Sequence, residues 1–285
     1  MRILLTLLFT AVFAAAPVTA DRYKDVQIEH IVLTEQLFML TGAGGNMAAL
    51  TGDNGILLID AQYVELADKI KAKLSQLSQG KALVTLINTH MHGDHVGGNS
   101  ALAADINIIA HNNVRTRLQQ NDQFPQTGLP KTTFNEQLIL HINEQTVRLQ
   151  YMPPSHTDGD IVVWFEEANV IHMGDLLFAD RFPFIDTANG GSVSGYIQNV
   201  ASLIAQMNEQ TRVIPGHGSL TDRQGVERFL DMLQKTLTEV QQYKLQGMTE
   251  QQVIDKGLGS EWKSWSWNFI TEARWISTLF NADIN

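Results

Sequence analysis

Four potential metal ligands lie within six residues in one short stretch of this sequence. They are His90, His92, Asp94 and His95, and they follow an apolar run at 83–87 that should form a strand. Because side chains two apart on an extended chain point to the same side, His90 and His92 should face one point. A turn at Gly93 should let Asp94 and His95 face a second point. The stretch therefore predicts a metal centre with two sites rather than an ordinary polar loop.

Further potential ligands appear downstream, each at the end of an apolar segment and beside Gly or Pro. They are His156 in Ser155-His156-Thr157, Asp175 in Met173-Gly174-Asp175, and His217 in Pro215-Gly216-His217-Gly218. A metal centre with two sites needs more ligands than the four in this stretch, and other strand ends would supply them. We therefore expect these three segments to lie near the first stretch.

The sequence resembles the metallo-β-lactamase superfamily, whose signature His-x-His-x-Asp-His is matched by the four residues at 90–95. The resemblance extends over nearly all of the chain after the first 20 residues. It implies that His90, His92 and His156 hold one metal ion, and that Asp94, His95 and His217 hold another. It also implies that Asp175 bridges the two ions, and that the fold is α+β, a four-layer αββα sandwich.

The ligand types indicate which metal and which chemistry to expect. Five His and two Asp without any Cys favour two zinc ions per chain, with Mn or Fe as possible substitutes because nitrogen and oxygen ligands also suit them. A hydroxide shared by the two ions would be the nucleophile at neutral pH. Asp94 is the expected catalytic residue, since it would bind one metal and accept or steer the proton of that hydroxide.

The first 20 residues have the pattern of a signal peptide. Arg2 gives a short positive region, the run at 3–16 is apolar but short for a membrane span, and Val18-Thr19-Ala20 supplies small residues for cleavage before Asp21. No Cys follows for lipid attachment. We therefore predict a signal peptide at 1–20, one metallo-β-lactamase-like domain at 21–285, a periplasmic or secreted location, and no stable membrane anchor.

Composition restricts the partners of the chain. The formal net charge is −10, and a surface of that sign repels phosphate backbones, so we expect no nucleic-acid partner. The absence of Cys excludes disulfides, so stability must come from the core and from bound metal. A small-molecule substrate is expected, and the sequence does not indicate the oligomeric state.

Hydrophobic spacing predicts layered secondary structure. Short apolar runs within 27–63 read as antiparallel strands, 64–79 reads as an amphipathic helix ending at Gly80, and strands at 83–88 and 106–110 follow. Hairpins are expected around Asn143-Glu144 and between strands at 161–165 and 170–173. Ser194 should cap a helix through Met207, and Thr221-Asp222 should begin a long helix ending near Leu245. The runs at 55–60 and 169–175 each lead into an Asp, which suggests a weak internal duplication.

For several other residues, the sequence either leaves two interpretations open or favours a structural role. Asp60 either orients a ligand imidazole or caps a helix or turn. His172 is expected to be structural, as are His30, His111 and His141. The glycines at 97 and 98 should let the backbone approach the metal site, and the aromatic-flanked segment 182–195 suits a substrate wall. The tryptophans at 262, 265 and 267 should cover a core edge rather than stack on a ligand.

The substrate is the least determined feature. The resemblance admits β-lactams, lactones, thioesters and phosphodiesters. Asp175 resembles the branch of thioester and lactone hydrolases, because β-lactamases usually place Cys, or Ser and His, near that point, whereas export favours β-lactams. We expect a hydrolase of an ester, lactone, thioester or lactam bond. A class B-like β-lactamase acting in antibiotic breakdown is one alternative, and a non-hydrolytic iron-dependent oxidoreductase of the same fold is another.

Overall fold

Two β-sheets form the centre of the structure. The computed structural model describes residues 22–103 and 106–282, so the expected signal peptide at 1–20 lies outside the described residues. The first sheet contains β1 (Glu29–Val32), β2 (Leu37–Thr41), β3 (Met47–Leu50), β4 (Ile56–Ile59), β5 (Leu83–Ile87), β6 (Asn107–His111) and β7 (Thr132–Phe134). The second contains β8 (Gln137–Ile142), β9 (Gln145–Tyr151), β10 (Ile161–Phe165), β11 (Val170–His172), β12 (Arg212–Ile214) and β13 (Thr221–Asp222). In both sheets the strands lie side by side in chain order.

Each sheet combines antiparallel and parallel strands. The pairs from β1 to β4 are antiparallel, and those from β4 to β7 are parallel. In the second sheet only β11 and β12 run parallel to each other. Parallel neighbours place their carboxyl ends at one edge of a sheet, so the segments that leave β5, β11 and β12 begin at sheet edges where side chains from distant parts of the chain can meet.

Helices cover the outer face of each sheet. They are α1 (Ala67–Leu77), α2 (Gly93–Val96), α3 (Asn99–Leu102), α4 (Asn112–Gln119), α5 (Val193–Ile204), α6 (Arg223–Leu245), α7 (Glu250–Lys256) and α8 (Glu272–Phe280). Helices α1 and α3 pack on the first sheet, and α5 to α8 pack on the second. None of the helices in the described residues is long and apolar enough to cross a membrane.

The core lies in three apolar layers, as alternating side chains of the strands require. On β4, Leu57 and Ile59 face the second sheet, whereas Ile56 and Leu58 face α1. The second sheet alternates in the same way on β10, where Val163 faces the first sheet and Trp164 faces the outer helices. Because both faces of the central strands are covered, the strands read as continuous apolar runs. The predicted α+β, four-layer αββα sandwich is confirmed.

The structure differs from the sequence prediction at some element ends. The segment predicted as one helix at 64–79 begins with a 3-10 turn, Val64–Leu66, before α1. Ser192 caps α5, not Ser194, because Ser192 has the extended conformation of a capping residue and its side chain accepts a hydrogen bond from Gly195 N, while Ser194 already lies in the first turn. The predicted helix start at Asp222 and the predicted hairpin at Asn143-Glu144 agree with the structure, where both hairpin residues have positive φ.

Candidate metal centre

Strand ends at one edge of the sandwich bring the seven predicted ligands together. The segment leaving β5 carries His90 and His92, and α2 carries Asp94 and His95. The connection from β9 to β10 carries His156, the 3-10 turn Gly174–Leu176 after β11 carries Asp175, and the segment after β12 carries His217. They form two groups that could each hold a metal ion, namely His90, His92, His156 and Asp175, and Asp94, His95 and His217. Within each group the ligand atoms lie within 4.8 Å of one another.

The carboxylate of Asp175 lies between the two groups. Its Oδ1 is 3.1 Å from His95 Nε2 and 3.5 Å from His217 Nε2. Its Oδ2 is 3.5 Å from His156 Nε2 and 3.7 Å from His90 Nε2. Each oxygen thus faces a different group, which is the arrangement that a bridging carboxylate requires.

Several buried ligand atoms lack a hydrogen-bond partner among the described residues. They are Nε2 of His90, Nε2 of His95 and Oδ1 of Asp175. The last two lie within ion-pair distance of each other, but their geometry is not that of a hydrogen bond. Since buried polar atoms nearly always have partners, three unpartnered atoms around one space fit a bound cation.

The other nitrogen of four of the imidazoles is held by a neighbouring oxygen. His95 Nδ1 donates to Asp60 Oδ2 at 2.7 Å, and His156 Nδ1 donates to the Phe184 carbonyl at 2.7 Å. His92 Nε2 donates to Asp186 Oδ2 at 2.9 Å. Thr89 Oγ1 donates to Asp60 Oδ2, so it accepts from His90 Nδ1. These contacts fix the ring orientations and tautomers, as outer partners do at metal sites.

Two imidazole nitrogens that point into the candidate site lie close to each other. His92 Nδ1 and His156 Nε2 lie 2.9 Å apart, and the outward nitrogen of each ring is already a donor. In the neutral tautomers both facing atoms therefore carry lone pairs, which repel unless a positive charge lies beside them. This pair is a second observation that fits a cation.

Asp60 and Asp186 each hold an imidazole of the candidate centre, and the sequence indicated such a role only for Asp60. Asp60 was predicted either to orient an imidazole or to cap a turn. It does the first, contacting His95, and also accepts from Thr89 N and Thr89 Oγ1. Asp186 was not singled out, because nothing in segment 182–195 marks it as a partner of His92, which lies 94 residues earlier.

Burial and nearby charges divide the histidines by protonation. Burial lowers the pKa of His90 well below its usual value and lowers that of His156 to about 4, so these rings are neutral and can act as ligands. Burial also opposes charge on the two rings of the second group, but nearby carboxylates together outweigh it. Asp175 and Asp94 raise the pKa of His217 to about 9, and the same two carboxylates with Asp60 raise the pKa of His95 well above its usual value. The second group thus attracts positive charge.

Two glycines allow the backbone to approach the ligands. A Cβ at Gly45, between β2 and β3, would overlap the imidazole of His95, and one at Gly216 would overlap Asp175 Oδ1. The sequence prediction assigned this role to Gly97 and Gly98. At those positions a Cβ would meet backbone carbonyls, of Gly93 and Gln62 at Gly97 and of Ala61 at Gly98, so neither glycine makes room for a ligand side chain. The close approaches depend on chain segments that are distant in sequence.

The structure also differs from the prediction at Gly93. This residue is the first of α2, and its conformation does not require glycine. Asp94 and His95 turn toward the second group because a helix begins there, not because of a left-handed turn. The predicted direction of Asp94 and His95 is therefore correct, but the predicted cause, a turn that depends on glycine, is wrong.

The histidines expected to be structural lie outside both ligand groups. His172 is buried, donates to the Asn46 carbonyl through Nε2 at 3.0 Å and accepts from Gly174 N through Nδ1 at 3.1 Å. His111 caps α4 by accepting from Asn113 N and stacks on Tyr151. Both rings therefore have local partners.

A cleft of about 840 Å³ opens over the ligands. Its base includes His92, Asp94, Asp175 and His217, and its sides include Tyr63, Phe178, Arg181, Phe184, Trp267 and Phe269. Phe184 comes from the segment predicted as a substrate wall. Of the three tryptophans, Trp262 and Trp265 belong to the core as expected, and Trp267 packs against the edge of that core while it also lines the cleft.

Comparison with known proteins identifies relatives of this chain. The family profile described as "Metallo-beta-lactamase superfamily" matches residues 40–217. Metallo-beta-lactamase IND-1 from Chryseobacterium indologenes is 24% identical over 238 residues, which are 77% of this chain and 94% of that protein. Metallo-beta-lactamase type 2 from Bacillus cereus is 23% identical over 189 residues, 66% of this chain and 72% of that protein.

Solved structures are similar in fold. The structure of a metallo-beta-lactamase from Pontibacter korlensis superposes with a TM-score of 0.64 at 18% sequence identity, and the match covers 73% of this chain and 99% of that chain. At this identity, the likeness establishes the sandwich architecture alone. It extends over nearly all of the other protein.

Proposed function

This chain belongs to the metallo-β-lactamase superfamily, and on that premise we propose that it is a hydrolase that uses two zinc ions to cleave an ester, lactone, thioester or lactam bond. His90, His92 and His156 would hold one ion, and Asp94, His95 and His217 the other. Asp175 would contact both. The single observation that carries the proposal is the Asp175 carboxylate, whose two oxygens face the two groups separately. Imidazole and carboxylate ligands without sulfur support zinc.

The bound ions would polarise a carbonyl group and lower the pKa of water. The protein supplies a carboxylate at the base of the cleft to take up a proton. Asp94 Oδ2 is 3.3 Å from His217 Nε2 and opens on the cleft. Burial opposes its ionisation, but His95 and His217 outweigh burial and hold the pKa of Asp94 below its usual value. Asp94 is therefore ionised at neutral pH, as its proposed roles in binding a metal ion and steering a proton require.

Metal analysis and a hydrolysis screen test this proposal together. Purified protein at zinc saturation should contain about two ions per chain, because the seven ligands form two groups joined by one carboxylate. It should hydrolyse at least one class among lactams, lactones, thioesters and carboxylic esters, and chelation should abolish turnover. One ion or fewer at saturation, or no turnover of any class, would contradict the proposal.

A β-lactamase is the second candidate, and one observation favours it. The aligned segment of this chain covers 94% of the metallo-beta-lactamase from Chryseobacterium indologenes. The comparison of kcat/KM for a chromogenic cephalosporin with kcat/KM for an aryl lactone and a thioester separates the two candidates. A preference for the cephalosporin by about 100-fold or more would favour the β-lactamase.

We also propose export, since the first 20 residues have a signal-peptide pattern. The mature protein should begin at Asp21 and occur outside the cytoplasm. N-terminal sequencing of the abundant cellular form tests this. An intact Met1 would contradict it.

A further inference from the structure

Aromatic side chains extend from the ligands to the mouth of the cleft. Phe178 is buried and stacks on His217, with ring centroids 5.0 Å apart and an angle of 18° between the rings. Trp267 follows at 6.1 Å from Phe178, and Phe269 at 5.6 Å from Trp267. Phe184 lies 5.4 Å from Phe269 and 5.8 Å from His92. We call Phe184, Trp267 and Phe269 the aromatic wall, with Phe178 at its base.

Specific contacts hold the aromatic wall in place. Trp267 Nε1 donates to the Phe182 carbonyl at 2.9 Å, and its backbone N donates to the Ile270 carbonyl at 3.1 Å. Arg274 lies over the rings of Phe184 and Phe269, at 5.0 and 4.4 Å, and donates to the Phe269 carbonyl. Although the wall is fixed, Phe269 remains 48% exposed. Preorganised, exposed aromatic rings are features of a binding surface.

A cationic side chain lies beside this wall. The guanidinium of Arg181 is 5.3 Å from the Trp267 ring centroid and lines the cleft. Within residues 22–103 and 106–282 it makes no ion pair or side-chain hydrogen bond, unlike Arg117 and Arg148. A stacked guanidinium keeps its N–H groups available at its edge for an anion. The cleft therefore offers an apolar surface and the cationic edge of Arg181 side by side.

We propose that the aromatic wall and Arg181 bind the part of the substrate that lies outside the cleaved bond, and that this part is a flat apolar group next to an anionic group. The identity of the cleaved bond rests on the proposed hydrolase function, whereas the proposed binding surface can be tested without hydrolysis. Trp267 and Phe269 lie beyond residue 217, where the family match ends. The proposed surface therefore combines two residues of the C-terminal segment with Arg181 and Phe184, which lie within the family match.

Two fluorescent probes that differ only in charge test the inference without turnover. 1-Anilinonaphthalene-8-sulfonate is aromatic and anionic, and N-phenyl-1-naphthylamine is the same ring system without the sulfonate. Both should bind the zinc-loaded full-length mature chain at one site. Trp267→Ala and Phe269→Ala should each weaken both probes by about tenfold, since each removes an aromatic contact. Arg181→Gln should weaken the sulfonate by about fivefold and change the neutral probe by less than about twofold.

Matched variants control for indirect effects. Arg148 also lies over a tryptophan, with its guanidinium 5.2 Å from the Trp164 ring centroid, but it lies outside the cleft, so Arg148→Gln should leave both probes unchanged. Leu245 is an apolar side chain that is 87% exposed on α6, and Leu245→Ala should also leave them unchanged. If Trp267→Ala lowers the thermal midpoint, Phe269→Ala remains informative, because that ring is half exposed.

The outcomes separate this inference from the proposed function. Unchanged probe binding in both Trp267→Ala and Phe269→Ala would overturn the aromatic wall, and equal losses of both probes in Arg181→Gln would overturn the anion contact. If no substrate class is hydrolysed but the probes respond as expected, the hydrolase proposal fails and this inference stands. If hydrolysis occurs but the variants bind both probes as tightly as the wild type does, the hydrolase proposal stands and this inference fails.

Discussion

At the scale of single residues, Asp175 is the carboxylate that faces both ligand groups. Asp175→Ala should leave two cations with uncompensated repulsion and no fixed spacing. We expect kcat to fall by about 10² or more and the metal content to drop below two, with the fold largely kept. Steady-state kinetics and elemental analysis of the zinc-loaded variant measure both effects.

His172 is the matched control, because it lies three residues earlier and its ring bonds only to backbone groups, the Asn46 carbonyl and Gly174 N. His172→Ala should lower the free energy of unfolding by about 1–3 kcal/mol, since both buried backbone groups lose a partner. The metal content should stay at about two. Loss of hydrolysis in His172→Ala together with full activity and metal in Asp175→Ala would contradict the ligand assignment.

Asp186 acts at the same scale through His92, whose Nε2 it holds at 2.9 Å. This contact keeps Nδ1 of His92 facing the site. Asp186→Ala should therefore weaken metal affinity by about 10–100-fold, as measured by competition with a chromogenic chelator. Asp180→Asn, at a carboxylate that is 69% exposed in the same part of the chain, should leave the affinity unchanged. Equal affinities for wild type and Asp186→Ala would show that His92 needs no such partner.

At the scale of elements, the loop between β2 and β3 must pass close to the first turn of α2. Gly45 N donates to the Asp94 carbonyl at 3.1 Å, and a Cβ at Gly45 would overlap the His95 ring. Gly45→Ala should therefore displace His95 and lower the metal content, as elemental analysis would measure. Gly93→Ala is the contrasting change, because a Cβ there has no atom within 4 Å, and it should keep two ions. Loss of metal in Gly93→Ala with none in Gly45→Ala would contradict this account of the loop.

At the scale of the whole molecule, the seven candidate ligands come from both sheets. Four come from segments that leave the first sheet and three from segments of the second. Metal that binds only the folded protein stabilises it, by about 2.7 kcal/mol at a free concentration of 100 Kd. For a chain of this size, chelation should then lower Tm by about 5–10 °C, and zinc should restore it. An identical Tm with and without chelator in thermal unfolding would indicate that the groups hold no metal.

Features that depend on local spacing could be predicted from the amino-acid sequence alone. The seven candidate ligands and the helix start at Asp222 follow from which residues end or begin an apolar run, whereas the αββα layering was implied by the family resemblance. Such patterns can be read directly because each strand or helix fixes the direction of its own side chains.

Tertiary structure decided which distant segments meet at those side chains. Asp186 reaches His92 across 94 residues, Gly45 lies against the ring of His95, and Trp267 lines the cleft in addition to packing against the core. Segment 182–195 could be predicted as a wall, but not as the source of a partner for His92. These contacts depend on how the two sheets and the outer helices pack, and the spacing of residues within one element carries no information about that packing.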